Sequence, residues 1–242
     1  MPFLPEAMNI SYRHAFPLLL LFLTGCGADL SRLLPSPSAD APQEPPTAAP
    51  ANPPDSSQEP DLLGDRLIIP GDRAGAMSQT ISRADLAALV SEDSLQDQDI
   101  HVGEGVMEPG TIVYPDSPED TVTIVWQDAE RTQPLSLRDF GTAWATPEGL
   151  GINSSFSTLQ SVLGDFELYG YGWDYGGTVQ LEGTALEQYS GLLILRAYPT
   201  AETVEVAQAD YNAVLGDSLY SSSSSHIQAL APVVEEIVMF FK

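Results

Sequence analysis

Gly110-Thr111-Ile112-Val113-Tyr114 and, after a short polar turn, Thr121-Val122-Thr123-Ile124-Val125-Trp126 form the stretch that decides how this chain folds. β-Branched and aromatic residues dominate both runs, which suits a pleated, half-buried surface. Upstream, Ser82 to Val90 reads as a helix. Ser82-Arg83-Ala84-Asp85 fits a capping box, and Leu86, Leu89 and Val90 fall on one face. The same order of features returns downstream. Gly151-Ile152-Asn153 echoes Gly75-Ala76-Met77, and Ser155 to Leu163 echoes the helix. Gly177-Thr178-Val179-Gln180-Leu181 and Leu192-Leu193-Ile194-Leu195-Arg196-Ala197 echo the strands. In the second helix Phe156, Leu159, Val162 and Leu163 make the apolar face, and Gly164 is the expected stop. Strands are expected over 111–114, 122–126, 165–175, 178–181 and 192–196. Val233 to Phe241 reads as a further strand, although Pro232 is equally able to begin a short helix. A short helix followed by antiparallel strands, twice, predicts an α+β fold built as a tandem repeat.

The run Gly170-Tyr171-Gly172-Trp173-Asp174-Tyr175-Gly176-Gly177 stands inside the second unit. On a strand, Tyr169, Tyr171, Trp173 and Tyr175 project from one face, because side chains alternate with period two. Two outcomes follow. The four rings form an exposed platform able to stack on sugar rings or grip a protein, or they face the core beneath the short helix. Gly176-Gly177 reads as a tight hairpin into Thr178. The glycine spacing is wrong for a dinucleotide site, and no helix follows it.

This run resembles the glycine-aromatic signature of a poorly characterised family of bacterial secreted and lipoprotein-type proteins. The repeat layout resembles, at fold level, the tandem fold of β-lactamase inhibitor proteins and of small outer-membrane assembly lipoproteins. These resemblances imply an exported head and carry no catalytic residues onto this chain.

The N-terminal part gives an address. Arg13 and His14 precede the apolar stretch Ala15 to Leu23, and Leu23-Thr24-Gly25-Cys26 follows with the chain's single cysteine. Roughly nine apolar residues are too few to span a bilayer, which takes about 20. A basic region, a short apolar region and small residues read as a secretory signal over 1–25, starting at Met1 or at Met8. The four-residue end resembles the lipobox of bacterial lipoprotein precursors. That resemblance implies lipidation of Cys26, cleavage before it, and anchoring by more than one acyl chain, as stable attachment requires. Gly27 stands where the family carries Asp for inner-membrane retention, so the outer membrane is favoured where the host has one. A lipidated Cys26 leaves no thiol for a disulfide or a metal site.

Residues 26–60 read as the lipidated cysteine and a disordered linker. Pro35, Pro37, Pro42, Pro45, Pro46, Pro50, Pro53, Pro54 and Pro60 favour an extended, solvated chain. At ~3.1 Å per residue such a linker reaches on the order of 90 Å when fully extended. The composition changes near residue 61, and all three tryptophans (Trp126, Trp144 and Trp173) lie beyond it. Residues 61–242 are therefore the globular head, with repeat 1 over about 66–146, repeat 2 over about 147–200 and an extension over 201–242.

The chain carries 34 acidic residues against 9 basic ones, and Lys242 is its sole lysine. With no basic stripe to release counterions, nucleic acid is excluded as a partner. The acidity fits either a salt-rich habitat or a cationic partner. Asp93-Ser94-Leu95-Gln96-Asp97-Gln98-Asp99 reads as a loop that spaces acids closely but lacks the glycine and terminal Glu of a calcium loop. His101 near Glu104, and His226 after the serine loop Ser221 to Ser225, supply parts for catalysis without a nucleophile-elbow pattern. One histidine gives too few ligands for zinc, and no pair of carboxylates is singled out for glycoside hydrolysis.

The sequence thus predicts a lipid-anchored, non-catalytic envelope protein without cofactor or metal. Its partners are the membrane through Cys26 and an envelope protein or glycan. The alternatives are a glycan-binding module using Tyr169, Tyr171, Trp173 and Tyr175, an inhibitor of an exported enzyme, and a glycosidase-like hydrolase.

Overall fold

The computed structural model describes residues 63–242. The expected signal peptide over 1–25 and the expected lipidated Cys26 and linker over 26–60 lie outside the described residues. The fold is α+β, with short helices and antiparallel sheets. A small sheet comes first: β1 (Ile68–Ile69), β2 (Arg73–Ala74) and β3 (Met77–Ser78). Helix α1 (Arg83–Val90) leads into the meander β4 (Leu95–Gly103), β5 (Val106–Val113), β6 (Val122–Trp126) and β7 (Pro134–Arg138). Helix α2 (Phe156–Leu163) leads into β8 (Glu167–Tyr169), β9 (Val179–Gln180) and β10 (Leu193–Tyr198). The remainder is α3 (Ala201–Val206), α4 (Gln208–Ala213), β11 (Leu219–Ser221), α5 (Ser225–Leu230) and β12 (Val233–Phe240).

The local signals act as the sequence indicates. Ser82 caps α1, and its side chain and that of Asp85 form the reciprocal capping box. Ser155 caps α2, and Gly164 ends it at φ 79°. Leu86 and Val90 of α1 are buried, as are Phe156, Leu159 and Leu163 of α2. Both helices are short enough that this packing, rather than propensity, must hold them.

The two units share an order of elements but not a strand pairing. The first unit's strands stay together in a six-stranded sheet, ordered β10-β12-β7-β6-β5-β4. The second unit divides. Its β10 joins the large sheet, while β8 and β9 pair with β11 in a separate three-stranded sheet. Strand β12 lies between β10 and β7 and joins the halves, with Leu195 opposite Ile237 and Leu137 opposite Met239. Pro232 therefore opens a strand here, not a helix. Along β10, Leu193, Leu195 and Ala197 turn into the core, and Ile194, Arg196 and Tyr198 line the opposite face. Strand β6 is buried at every residue, so both of its faces are covered.

Three expectations need correction. The acidic run over 93–99 is not a loop: Leu95 to Asp99 belong to edge strand β4, paired with β5. Its Asp97 is occupied by protein groups. Arg83 Nε donates to it at 2.9 Å and Thr111 Oγ1 at 2.5 Å, and Arg131 Nε stands 3.7 Å away. Among the described residues no group of His, Cys, Asp and Glu is arranged to hold a metal. The expected serine loop is likewise structured, since Ser221 closes β11, Ser225 opens α5, and buried Ser222 accepts the Phe166 N–H at 3.1 Å. The long strand expected over 165–175 ends at Tyr169. A Cβ at Gly170 would run into the Val214 and Gly216 carbonyls, and Gly172 sits at φ 87°. The chain turns where these glycines let it.

Candidate functional site

The turn at Gly170 dismantles the one-face arrangement of the four aromatics. Tyr171 is wholly buried. It stacks on Tyr211 with ring centroids 5.5 Å apart and lies 5.7 Å from Tyr198. The other three form an outer row. Tyr169 meets Trp173 at 5.5 Å and Trp173 meets Tyr175 at 5.2 Å, with interplanar angles of 82° and 65°. Rings set edge to face are favourable to one another but present no flat platform for a sugar. Trp173 is half-buried and donates its indole N–H to the Gly170 carbonyl at 2.9 Å. Tyr175, at the end of the row, is 44 % exposed.

Burial pushes the Tyr171 phenol well above its ordinary pKa, and its hydroxyl has no hydrogen-bond partner. A group whose folded pKa is raised contributes stability that is complete below the unfolded value, ~10 for tyrosine. That contribution is lost as pH rises through the folded value. Tyr171→Phe removes an unpaired buried hydroxyl and keeps the stacked ring. It should leave stability unchanged or raise it by about 1 kcal/mol at neutral pH, and should flatten the loss above pH ~10. Urea titrations at pH 7 and pH 10.5 measure both effects.

Tyr175 faces a cleft of about 360 Å³. Such a volume lies in the ~300–1,000 Å³ range of small-ligand sites. Three parts of the chain build it. The first is the β4–β5 hairpin end, with His101, Glu104 and Val106. The second is the sheet face, with Arg138 of β7 and Arg196 of β10. The third is the loop bearing Asp174 and Tyr175. That loop is fixed beside Arg196, since Ala197 N–H donates to the Gly177 carbonyl at 2.9 Å and Thr178 bridges Arg196. The Tyr175 hydroxyl donates to Glu104 Oε1 at 2.7 Å, which ties loop to hairpin. That bond, together with the Glu104 charge, pushes the Tyr175 phenol above its ordinary pKa.

The sheet face supplies a charge ladder across three neighbouring strands. Glu236 of β12 accepts from Arg138 Nη2 at 2.7 Å through Oε1 and pairs with Arg196 Nη1 at 3.2 Å through Oε2. Arg138 Nη1 also donates to the His101 carbonyl at 3.4 Å, so the hairpin end reaches back over this face. Asp139, more than half exposed, stands 3.6 Å from Arg138 Nε. The Nε atoms of both arginines are shut off from water and donate to nothing within hydrogen-bond reach.

His101 and His226 lie in different places and are each held by protein groups. Glu104 is bonded to Tyr175, and the His101 ring accepts the Gly105 N–H at Nε2, 3.1 Å away. That bond leaves the ring proton on Nδ1. His226 pairs with Asp210 at 2.8 Å, and among the described residues no serine hydroxyl is hydrogen-bonded to it. Glu104 and His101 do line the cleft, so their nearness in sequence marks a place. Arg138, Arg196 and Glu236 are invisible as a group in the sequence. They meet only because β12 enters between β7 and β10.

Fold and cleft together define an α+β head with one arginine-floored recess among its described residues. No protein-family model and no curated protein matches the chain. Among solved structures, the uncharacterized protein yfeY from Escherichia coli is similar at 11% identity with a TM-score of 0.38, covering 74% of this chain and 98% of that chain. Likeness at that level carries no argument about the site.

Proposed function

We propose that this chain is a lipid-anchored cell-envelope protein whose acidic head binds a ligand without transforming it. The lipobox ending at Cys26 supports the anchor, and Gly27 supports the outer membrane where one exists. The observation that carries the binding role is the cleft. The β4–β5 hairpin end and the Asp174–Tyr175 loop converge on Arg138 and Arg196, and there Glu104 is already bonded to Tyr175 and the His101 ring to the Gly105 N–H. The edge-to-face row of Tyr169, Trp173 and Tyr175 argues against a stacked glycan, although Tyr175 serves the cleft wall.

Two measurements test the reading. In detergent phase partitioning, the full chain should enter the detergent phase and Cys26→Ala should remain in the aqueous phase. For the head, low-molecular-weight envelope extract should perturb amide resonances around His101, Glu104 and Tyr175 and yield no new products. Partitioning that survives Cys26→Ala would remove the anchor. Perturbations elsewhere, or turnover of extract components, would remove the non-catalytic cleft.

A further inference from the structure

We infer that the cleft is a receptor for a small zwitterion: a carboxylate and an ammonium carried on one short body, as in an α-amino acid or a short peptide. The inference rests on the cleft being the binding site. Charge in the recess is layered. Arg138 and Arg196, 17 % and 21 % exposed, lie deep, whereas Glu104 and Asp174 are exposed at its opening. A guanidinium carries five N–H donors in a planar fork suited to carboxylates. Arg138 spends two groups, on Glu236 and the His101 carbonyl, and Arg196 shares the same Glu236. Each arginine keeps part of its side chain exposed to the recess, so guanidinium donors beyond those spent on Glu236 and the His101 carbonyl remain for a ligand at the floor.

A ligand carboxylate on these arginines gains charge-assisted bonds in a partly desolvated place. The opening then selects against a plain anion. Asp174 makes no hydrogen bond or ion pair with any described residue, and Glu104 keeps one oxygen for Tyr175. Two carboxylates at the mouth repel a phosphate or a dicarboxylate and attract an ammonium group. Val106, 47 % exposed, and the Tyr175 ring give the body between the charges apolar contact. In a chain this acidic, a recess that takes a carboxylate needs such a local reversal of charge, and the ladder across β7, β12 and β10 supplies it.

The test uses alanine, dialanine, N-acetylalanine and alaninamide, titrated into the head by calorimetry and amide-resonance mapping. Alanine or dialanine should bind saturably at the cleft, and the tighter of the two identifies a free amino acid or a peptide as the source. N-acetylalanine and alaninamide should each bind about tenfold more weakly or worse, since each lacks one charged partner. Asp174→Asn, at an exposed and unpaired position, should weaken alanine or dialanine and should tighten N-acetylalanine, which loses a repelling charge. Arg196→Gln should abolish binding of alanine, dialanine and N-acetylalanine, whose carboxylate it holds, and should not weaken alaninamide, with circular dichroism checking that the head still folds. Equal binding of the capped and free compounds, or no saturable binding by any of them, overturns the zwitterion. If envelope extract still perturbs the cleft in that case, the binding role stands without it.

Discussion

Gly177→Ala is expected to destabilise the head by about 2–4 kcal/mol, a fall in Tm of roughly 5–12 °C for a domain of this size. Gly177 sits at φ 71°, a backbone conformation costly for any residue with a Cβ, and an added Cβ would run into the Ala197 carbonyl. Its own carbonyl accepts from Ala197, and its N–H donates to Tyr169 at 3.0 Å. Forcing these apart releases the loop that holds Tyr175 against Glu104. Gly183 provides the control. Its φ is 76°, yet nothing lies within 4 Å of an added Cβ. Gly183→Ala should therefore show the backbone strain alone, about 1 kcal/mol. Thermal unfolding of both variants separates the strain from the collision, and equal losses would refute the packing role given to Gly177.

The second large effect is expected at Thr111. Its hydroxyl is buried, accepts the Trp126 indole N–H at 2.9 Å and donates to Asp97. Thr111→Val preserves shape and deletes both bonds. It leaves a buried indole N–H unpaired and weakens the hold on a carboxylate that also anchors Arg83. A loss of about 2–4 kcal/mol should follow. The pH dependence has a definite sign. Burial alone would raise the Asp97 pKa, but the bonds from Arg83 and Thr111 and the charges of Arg83 and Arg131 together hold it below its ordinary value. Its contribution is therefore present above the unfolded value of ~3.9 and disappears as pH falls through the folded one. Thr111→Val should narrow that acid window, so the gap between variant and parent should shrink at low pH to the part due to the unpaired Trp126 indole N–H. Chemical denaturation between pH 2.5 and 7 measures this, and a difference that does not depend on pH would detach Asp97 from the relay.

What the sequence made legible, and what it hid, follows from the range of the forces involved. The caps of α1 and α2 are local, so Ser82, Asp85, Ser155 and Gly164 announce both helices. The apolar runs of β5, β6, β10 and β12 announce strands for the same reason. Strand β4 was hidden because it is an edge. Of its nine residues only Ile100 is buried, and Gln96, Asp97, Gln98 and Asp99 look like loop. The aromatic run misled because period-two logic holds only while the strand continues, and Gly170 and Gly172 end it. The cleft was half visible. His101, Glu104 and Tyr175 stood out as residue types, whereas the Arg138–Glu236–Arg196 ladder joins positions far apart in sequence through strand order, which no local pattern encodes.

That strand order also sets a timetable. The hairpins from β4 to β7 connect near neighbours and are able to pair as soon as they emerge from the ribosome. Strand β10 has no partner in the large sheet until β12 arrives, and β7 keeps an open edge until the same moment. Pairing Leu137 with Met239 closes a loop of about a hundred residues, and such distant contacts form late and slowly. A head whose sheet is completed by so late an arrival keeps two strand edges open until its last strand is in place. It acquires the Arg138–Glu236–Arg196 floor of its recess in the same step that closes its sheet.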